Sequence, residues 1–323
     1  MPDPSSQLGL FGAPEGLQSC ALCPDQDSLA AALPPELRLG TSSWSFPGWS
    51  GLLYKGRVSS ELLAHEGLRA YARCPLLRTV GVDRAHYATL SAEQWAALAE
   101  PLPEDFQLLV KAHEACTLAR YPDHARYGAR RGRRNPSFLD PEWASDQVIA
   151  PAIEGLGARM GVLLFQFAPQ PLSELGGPQG FAARLAAFLE RLPAGLRVAV
   201  ELRNTSLLHP DYTAALRAGG ALHAINAHGA MPRPEVQARL TGALEQEALV
   251  IRWMLRRGYE YEQAVQRYSP FHELVEPDPV TRAGLLSLLR AFKGRPAFVI
   301  VNNKAEGCAP RSIELLAREL AKG

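Results

Sequence analysis

The chain has 323 residues, of which 47% are hydrophobic and 21% are charged, and its formal net charge is +1. This composition is typical of a globular protein, and the small net charge excludes a whole-molecule attraction to nucleic acid or to an anionic membrane. We expect a cytoplasmic protein without a membrane partner. No apolar stretch is long enough to span a bilayer, no basic and apolar signal segment opens the chain, and the five cysteines are scattered.

The first 35 residues are predicted to form a flexible leader, and residues 36–323 are predicted to form one domain. The leader is rich in Pro, Gly, Ser and Gln and has no sustained hydrophobic period. Its Cys20 and Cys23 form a lone C-x-x-C pair. A structural zinc site needs a second pair of ligands, so we interpret them as two thiols in a leader.

A short motif in the leader indicates a protein partner. Gln7–Phe11 reads Gln-Leu-Gly-Leu-Phe, which resembles the Q-L-x-L-F pentapeptide by which bacterial DNA-processing proteins dock on the replication sliding clamp. A disordered tail of this kind would insert Leu10 and Phe11 into a preformed apolar pocket.

From Leu37 onward, apolar runs of strand length alternate with segments of helical pattern. The predicted strands end near residues 41, 82, 111, 166, 202, 226, 253 and 302. The predicted helices cover 59–73, a segment opened by Ser91, 141–156, 180–192, 210–218, 233–246, 278–293 and a segment from Pro310. Parallel strands buried on both faces read as continuous apolar runs, so the pattern predicts an α/β protein with a closed (β/α)8 TIM barrel. A doubly wound open sheet is the alternative, but no glycine-rich phosphate loop follows the first strand.

Charged side chains stand where the predicted strands end, and TIM barrels carry their chemistry at that end. Glu201 is the candidate general base, acid or nucleophile. Lys111, the second candidate catalytic group, together with Arg203 and Arg252 would hold an anion such as phosphate or carboxylate. The alternative is that a Glu–Arg pair simply holds the barrel together.

Neutral and aromatic side chains complete the predicted binding site. They are Gln166, Asn226, Asn302 and Asn303 as hydrogen-bonding groups, and Thr41, Trp44 and Tyr87 from the loops after the first two strands. Such a mixture suits a polyhydroxylated or nucleotide-like ligand. The aromatics could equally pack a loop over the barrel mouth.

A divalent metal is a weaker alternative, and no cofactor follows from the sequence. Asp83, Glu114 and Glu201 could assist such an ion, but no H-x-H or H-E-x-x-H spacing appears. His223 lies inside the sixth strand and is expected to be a hydrogen-bonded core histidine.

The segment Arg126–Arg134 contains five arginines in the long loop after the third strand. Such a cluster is able to contact the phosphates of a nucleic acid. The alternative is a solvated basic loop whose charges are balanced by acidic neighbours.

The strand-end residues also carry a family resemblance that covers roughly residues 37–320. The matching pieces are Gly40-Thr41-Ser42 with Trp44, Trp49, Gly51 and Tyr54; Val80 with Tyr87; Val110-Lys111-Ala112 with Thr117; Leu164-Phe165-Gln166 with Pro169; Ala199-Val200-Glu201-Leu202-Arg203 with Ser206; Arg252; and Asn302-Asn303 with Ala309-Pro310. In these the chain resembles the YecE-like family of TIM-barrel proteins, domain of unknown function seventy-two, also described as related to sugar isomerases. The resemblance implies a TIM barrel and the place of its pocket, and it implies no reaction.

The chain departs from the family pattern at several positions. Gly81 stands where the family usually has a glutamate, and Leu118 where it has a histidine. Trp253-Met254-Leu255 replaces a Leu-His-Gly tendency, and a tryptophan expected near Leu207 is absent. Two acid–base groups are therefore missing at the expected mouth, which favours either a different chemistry or a pocket without catalysis.

The leading hypothesis is a hydrolase or isomerase acting on an anionic, phosphorylated or sugar-like substrate at the C-terminal barrel face. One alternative is a DNA-maintenance accessory protein that uses Gln7–Phe11 and Arg126–Arg134. Another is a ligand-binding module without turnover.

Overall fold

The computed structural model describes residues 16–322. Its centre is a closed barrel of eight parallel strands in chain order, in which β8 pairs with β1. The strands are β1 Leu37–Thr41, β2 Thr79–Val82, β3 Gln107–Lys111, β4 Met160–Phe167, β5 Val198–Leu202, β6 Leu222–Ala227, β7 Leu249–Trp253 and β8 Ala297–Val301. The predicted TIM barrel is confirmed.

Thirteen α-helices lie around the barrel in the described residues. They are α1 Gln26–Ala31, α2 Ser60–His65, α3 Gly67–Tyr71, α4 Ala92–Ala99, α5 Pro141–Ala144, α6 Ala150–Leu156, α7 Leu172–Leu175, α8 Gly177–Leu189, α9 Pro210–Ala218, α10 Pro234–Thr241, α11 Tyr261–Tyr268, α12 Pro279–Ala291 and α13 Ala309–Ala321. Local sequence sets several of their starts. Ser91 forms a capping box with Gln94 at α4, and Asp140 accepts two backbone N–H groups before Pro141 at α5.

The lower part of the barrel interior is packed by apolar side chains from alternating strand positions. These are Leu109, Val162, Leu164, Ala199, Leu222, Ala224, Ala248, Val250, Phe298 and Ile300, each at most 2% exposed. Side chains alternate between the two faces of a strand. The next side chain to point into the barrel therefore lies two residues beyond the last of these apolar residues on each strand. On β3 to β8 those positions are Lys111, Gln166, Glu201, Asn226, Arg252 and Asn302. The apolar barrel therefore carries a polar layer at its C-terminal mouth.

The described part of the predicted leader packs against the barrel. Leu22, Cys23 and Leu29 are buried in the main core, and Arg318 of α13 forms an ion pair with Asp25 at 2.7 Å. This packing of residues 16–35 differs from the flexible segment that their composition predicted, because a few apolar side chains suffice to anchor a short segment. Gln7–Phe11 lies outside the described residues, and the domain division at residue 35 stays a prediction.

Between residues 16 and 322, no helix is both long enough and apolar enough to cross a bilayer.

Candidate active site

Glu201 lies at the centre of a buried ion-pair network below the barrel mouth. Its Oε2 lies 2.5 Å from Nη1 of Arg252, and its Oε1 accepts a hydrogen bond of 3.0 Å from Nε of Arg203. Both arginines also donate to Oε1 of Gln166, at 3.1 and 3.3 Å. Nη2 of Arg252 lies 3.8 Å from Asp83. One carboxylate thus fixes the orientation of two guanidinium groups.

The two arginines keep Glu201 charged. The side chain of Glu201 is 0% exposed, and burial alone would raise its pKa, but Arg252 and Arg203 outweigh this effect and lower the pKa to about 2. A carboxylate with so low a pKa remains unprotonated at neutral pH and has both oxygens engaged.

A cavity of about 430 Å³ opens above this network at the C-terminal ends of the strands. Among its lining residues are Ser42, Phe46, Asp83, His86, Tyr87, Lys111, Glu114, Leu118, Arg126, Tyr127, Gln166, Arg203, His228, Arg252, Met254, Tyr261, Asn302 and Lys304. Six of the predicted site residues lie here together: Tyr87, Lys111, Gln166, Arg203, Arg252 and Asn302. The volume is that of a small-molecule site.

Two lysines of the cavity have no carboxylate partner among the described residues. Lys111 is 6% exposed, its side chain forms no ion pair or hydrogen bond there, and burial lowers its pKa to about 8. Lys304 is also buried. Its Nζ lies 4.5 Å from the centre of the Tyr261 ring, and burial lowers its pKa as well. Lys304 is not among the site residues predicted from the sequence, although it follows the Asn302-Asn303 pair directly.

His86 is a second lining residue that is not among the site residues predicted from the sequence. Its Nδ1 lies 2.9 Å from the carbonyl oxygen of Ala112. Because a carbonyl only accepts, Nδ1 carries the hydrogen and Nε2 is the basic nitrogen of the neutral ring. Burial and the nearby Lys111 lower the pKa of His86 to about 3, so the imidazole is neutral at physiological pH.

The start of the basic loop turns towards the cavity. Arg126 forms an ion pair of 2.7 Å with Glu114, donates a hydrogen bond to the Tyr127 hydroxyl, and lies 5.3 Å from the centre of the Tyr87 ring. The Tyr127 hydroxyl also donates to Glu114 at 3.1 Å. Arg126 therefore forms part of the cavity wall.

The rest of the loop is only partly neutralised. Arg130 lies over the Tyr121 ring at 4.9 Å, and Arg131 lies 3.5 Å from Asp123. Arg133 and Arg134 form no ion pair within residues 16–322. The nucleic-acid contact predicted for this loop stays a prediction.

The other predicted binding residues do not line the cavity. Thr41 donates to the backbone oxygen of Ser43 at 2.7 Å, and Trp44 donates from its indole nitrogen to Leu63 at 3.1 Å. The Asn303 side chain accepts a hydrogen bond of 2.8 Å from the N–H of Ala309 at the start of α13. These three side chains connect the loops to the helices around them.

Asn226 is buried inside the barrel beside Arg252, its register partner on β7. Neither its side-chain oxygen nor its nitrogen has a hydrogen-bond partner in the structure. Burying a side-chain amide without hydrogen bonds costs free energy unless water or another group bonds to it.

The residues that were considered as metal ligands do not assemble into a metal site. Within the described part of the chain, no three His, Cys, Asp or Glu side chains are arranged to hold a metal ion. Asp83 and Glu114 both line the cavity but pair with Arg252 and Arg126, respectively. His223 is a hydrogen-bonded core histidine, with Nδ1 at 2.9 Å from the Tyr212 hydroxyl.

Three of the positions that depart from the resembled family pattern belong to the cavity. Leu118, Met254 and Leu255 line it, and the apolar side chains of Leu118 and Met254 occupy the positions of two expected histidines. A β-carbon added at Gly81 would come within 3.1 Å of the Ser42 carbonyl oxygen. Among the polar side chains that do line the cavity, His86 and Lys111 are ionisable groups without a carboxylate partner in the described residues.

Comparisons with known proteins agree with this architecture. The family model described as "Protein of unknown function DUF72" matches residues 38–323. A DUF72 family protein of Thermotoga maritima superposes with a TM-score of 0.56 at 18% identity, covering 88% of this chain and 98% of its own. A DUF72 family protein of Enterococcus faecalis gives 0.55 at 18% identity, covering 89% and 96%. At this identity the likeness shows the fold. No curated protein matches the chain significantly.

Proposed function

The chain belongs to the DUF72, or YecE-like, family of TIM-barrel proteins, and from the chemistry of its mouth we propose that it is an enzyme acting on an anionic, sugar-like small molecule. Phosphorylated sugars are the substrate class that the cavity suits best. An isomerisation is the reaction that its side chains support best.

The observation that carries the proposal is the pair of buried lysines without a carboxylate partner. Removing an ammonium group from water costs free energy unless a counter-charge compensates. Within residues 16–322, Lys111 and Lys304 form no ion pair, and the neighbouring Arg203 shares its only carboxylate with Arg252. A phosphate or carboxylate of the ligand would supply the missing negative charge, and Arg203 offers the planar donors that such groups bind.

The polar groups favour an isomerase over a hydrolase. Glycoside hydrolysis generally uses two carboxyl groups that flank the scissile bond, whereas each carboxylate near this cavity lies beside an arginine: Glu201 and Asp83 by Arg252, and Glu114 by Arg126. An isomerisation needs a proton-transfer or nucleophilic group whose pKa lies near neutral pH. Lys111, with a pKa lowered to about 8 by burial, meets that need.

The same geometry favours a positioning role for Glu201. Both of its oxygens accept from arginines, and it does not line the cavity. We therefore assign the catalytic role to Lys111, which faces the ligand. Glu201 holds Arg203 and Arg252 at the floor of the site.

The proposal is tested by titrating the protein with a panel of sugar phosphates and the same sugars without phosphate, using isothermal calorimetry. We expect the phosphorylated sugars to bind at least about tenfold more tightly, a difference of about 1.4 kcal/mol. Lys304→Met should abolish this difference. The matched control is Lys293→Met, which removes an exposed lysine between α12 and β8, at the opposite end of the barrel. Equal binding of both sugar classes by the wild-type protein would contradict the proposal.

The two alternatives predict different results, which further measurements distinguish. A binding module without turnover would bind a sugar phosphate but leave it unchanged on prolonged incubation, as monitored by NMR. A DNA-maintenance accessory protein would respond to clamp or DNA. Gln7–Phe11 lies outside the described residues, and Arg126 of the basic loop contacts the cavity, so the described contacts favour the small molecule.

A further inference from the structure

We propose that Lys111 is a nucleophile that forms an imine with the substrate, and that the substrate is therefore an anionic aldehyde or ketone. This inference rests on the proposed function and deepens it, because it names the reacting group of the ligand. Neither the family description nor the fold assigns this role.

The placement of Lys111 is the first argument. It is the last residue of β3, points inward with Leu109, and lines the cavity. Within the described residues, its ammonium group has no ion pair within 4 Å and no hydrogen bond. The nearby carboxylates of Glu201 and Asp83 lie beside Arg252 instead. No salt bridge therefore holds the amine in its charged form.

The charges around Lys111 also favour a reactive amine. Burial lowers the pKa of Lys111 to about 8, with Arg252 and Arg203 acting in the same direction, against the opposing effect of Asp83 and Glu201. In roughly a tenth of the protein molecules the Lys111 amine is then neutral at pH 7, a fraction about 300-fold larger than for a lysine of ordinary pKa. Neutral, desolvated lysines are the ones that act as Schiff-base nucleophiles.

The proposed step balances without an added reagent. The lone pair of the neutral Nζ forms a bond to the carbonyl carbon, and the carbonyl π pair moves to oxygen. A proton passes from nitrogen to that oxygen and gives a carbinolamine. The hydroxyl group, after taking a further proton, leaves as water while nitrogen forms the C=N bond. The imine nitrogen then releases its proton, so one amine and one carbonyl give one imine and one water.

Other side chains of the cavity are suited to the anionic group and to the carbonyl group of such a substrate. Lys304 follows β8 and Arg203 follows β5, and both can bind the anionic group. His86 presents a neutral imidazole whose Nε2 forms no hydrogen bond with any described residue. This nitrogen is free to accept a hydrogen bond from the hydroxyl group of the carbinolamine.

The test uses pyridoxal 5′-phosphate, an aldehyde that carries a phosphate, followed by borohydride reduction and peptide mass spectrometry. Borohydride fixes an imine as a stable secondary amine. The chain has five lysines, Lys55, Lys111, Lys293, Lys304 and Lys322, so each labelled site can be identified. We expect Lys111 to be labelled at least about tenfold faster than Lys293, and inorganic phosphate to slow this labelling. Lys111→Met should lose the label, whereas Lys293→Met should retain it.

The outcomes separate this inference from the proposed function. Binding of inorganic phosphate is measured in parallel by calorimetry on the wild-type protein and on Lys111→Met, whose folding is checked by circular dichroism. Phosphate binding without faster labelling of Lys111, or labelling of Lys304 in its place, would overturn the imine and leave the anion site intact. Failure of phosphate and of sugar phosphates to bind would overturn both.

Discussion

Glu201 holds two arginines in place although its own side chain does not line the cavity. If it is changed to glutamine, Arg203 and Arg252 lose their only carboxylate partner within hydrogen-bond distance. Removing one member of a buried ion pair typically costs about 3–5 kcal/mol. We expect Glu201→Gln to lower the free energy of unfolding by about that amount at pH 7, as measured by urea denaturation. Glu100→Gln, which removes an exposed pair with Arg69, should cost less than about 1 kcal/mol.

The pH dependence of the Glu201 effect follows from its pKa. The folded-state pKa of about 2 lies below the ordinary value of 4.5, so this stabilisation is complete above pH 4.5 and is lost as the pH falls towards 2. The difference between wild type and Glu201→Gln should shrink over that window. A difference that stays constant from pH 6 to pH 3 would show that the charge of Glu201 does not contribute to this stabilisation.

Lys111 should lower the free energy of unfolding, in contrast to Glu201, because burial penalises its charged form. Its pKa of about 8 in the folded protein lies below the ordinary 10.5. Lys111 therefore destabilises the fold most below pH 8, and this cost disappears as the pH rises to 10.5. We expect Lys111→Met to raise the free energy of unfolding by roughly 2–3 kcal/mol at pH 7.

The increase in the free energy of unfolding caused by Lys111→Met, as measured by urea denaturation, should decline between pH 8 and pH 10.5. Lys293→Met should show no such pH dependence. If the two variants gave the same pH profile, Lys111 would not be a desolvated amine, and its assignment as the catalytic group would fail.

At the scale of the element, the alternation of side chains along a strand decides which predicted residues face the cavity. Asn302 lines the cavity, whereas its neighbour Asn303 contacts the start of α13. Thr41 is likewise turned away, and Ser42 beside it faces the cavity. The apolar runs predicted the strands well, but a strand buried on both faces gives no signal for which of two adjacent polar residues points inward.

Asn303 and Lys304 should therefore respond differently to substitution. Asn303→Ala leaves the buried N–H of Ala309 without its acceptor, which costs roughly 1–3 kcal/mol, and it leaves the affinity for sugar phosphates unchanged. Lys304→Met should abolish the preference for phosphorylated sugars without loss of stability. Thermal unfolding and calorimetry of both variants test this contrast. If Asn303→Ala lost affinity for sugar phosphates while its thermal stability stayed unchanged, Asn303 would be a binding residue and not a structural one.

The loops show a second limit of the sequence-based prediction. His86, Lys304 and Arg126 come from three different loops and meet at one cavity. Their convergence depends on the closed strand order and on the contacts of each loop, such as the bond between His86 and Ala112. No local pattern in the sequence encodes such contacts, whereas the position of Lys111 at a strand end could be predicted from the strand alone.

At the scale of the whole molecule, the charge distribution favours a small anion over a nucleic acid. The net charge of +1 provides no long-range attraction, and three of the five loop arginines contact a carboxylate or a ring. We expect binding to duplex DNA to be weak and to vanish at physiological salt in a fluorescence anisotropy titration. Changing Arg130, Arg131, Arg133 and Arg134 to glutamine should leave sugar-phosphate affinity unchanged. Tight DNA binding that is lost in this variant would favour the accessory-protein alternative.

The most direct test of the anion site is a crystal structure of the protein with a bound sugar phosphate. We predict that the phosphate lies in the cavity of about 430 Å³, within hydrogen-bond distance of Lys304 and Arg203, with the sugar carbonyl directed towards Lys111. A ligand bound elsewhere on the surface, with the cavity occupied only by water, would contradict the account.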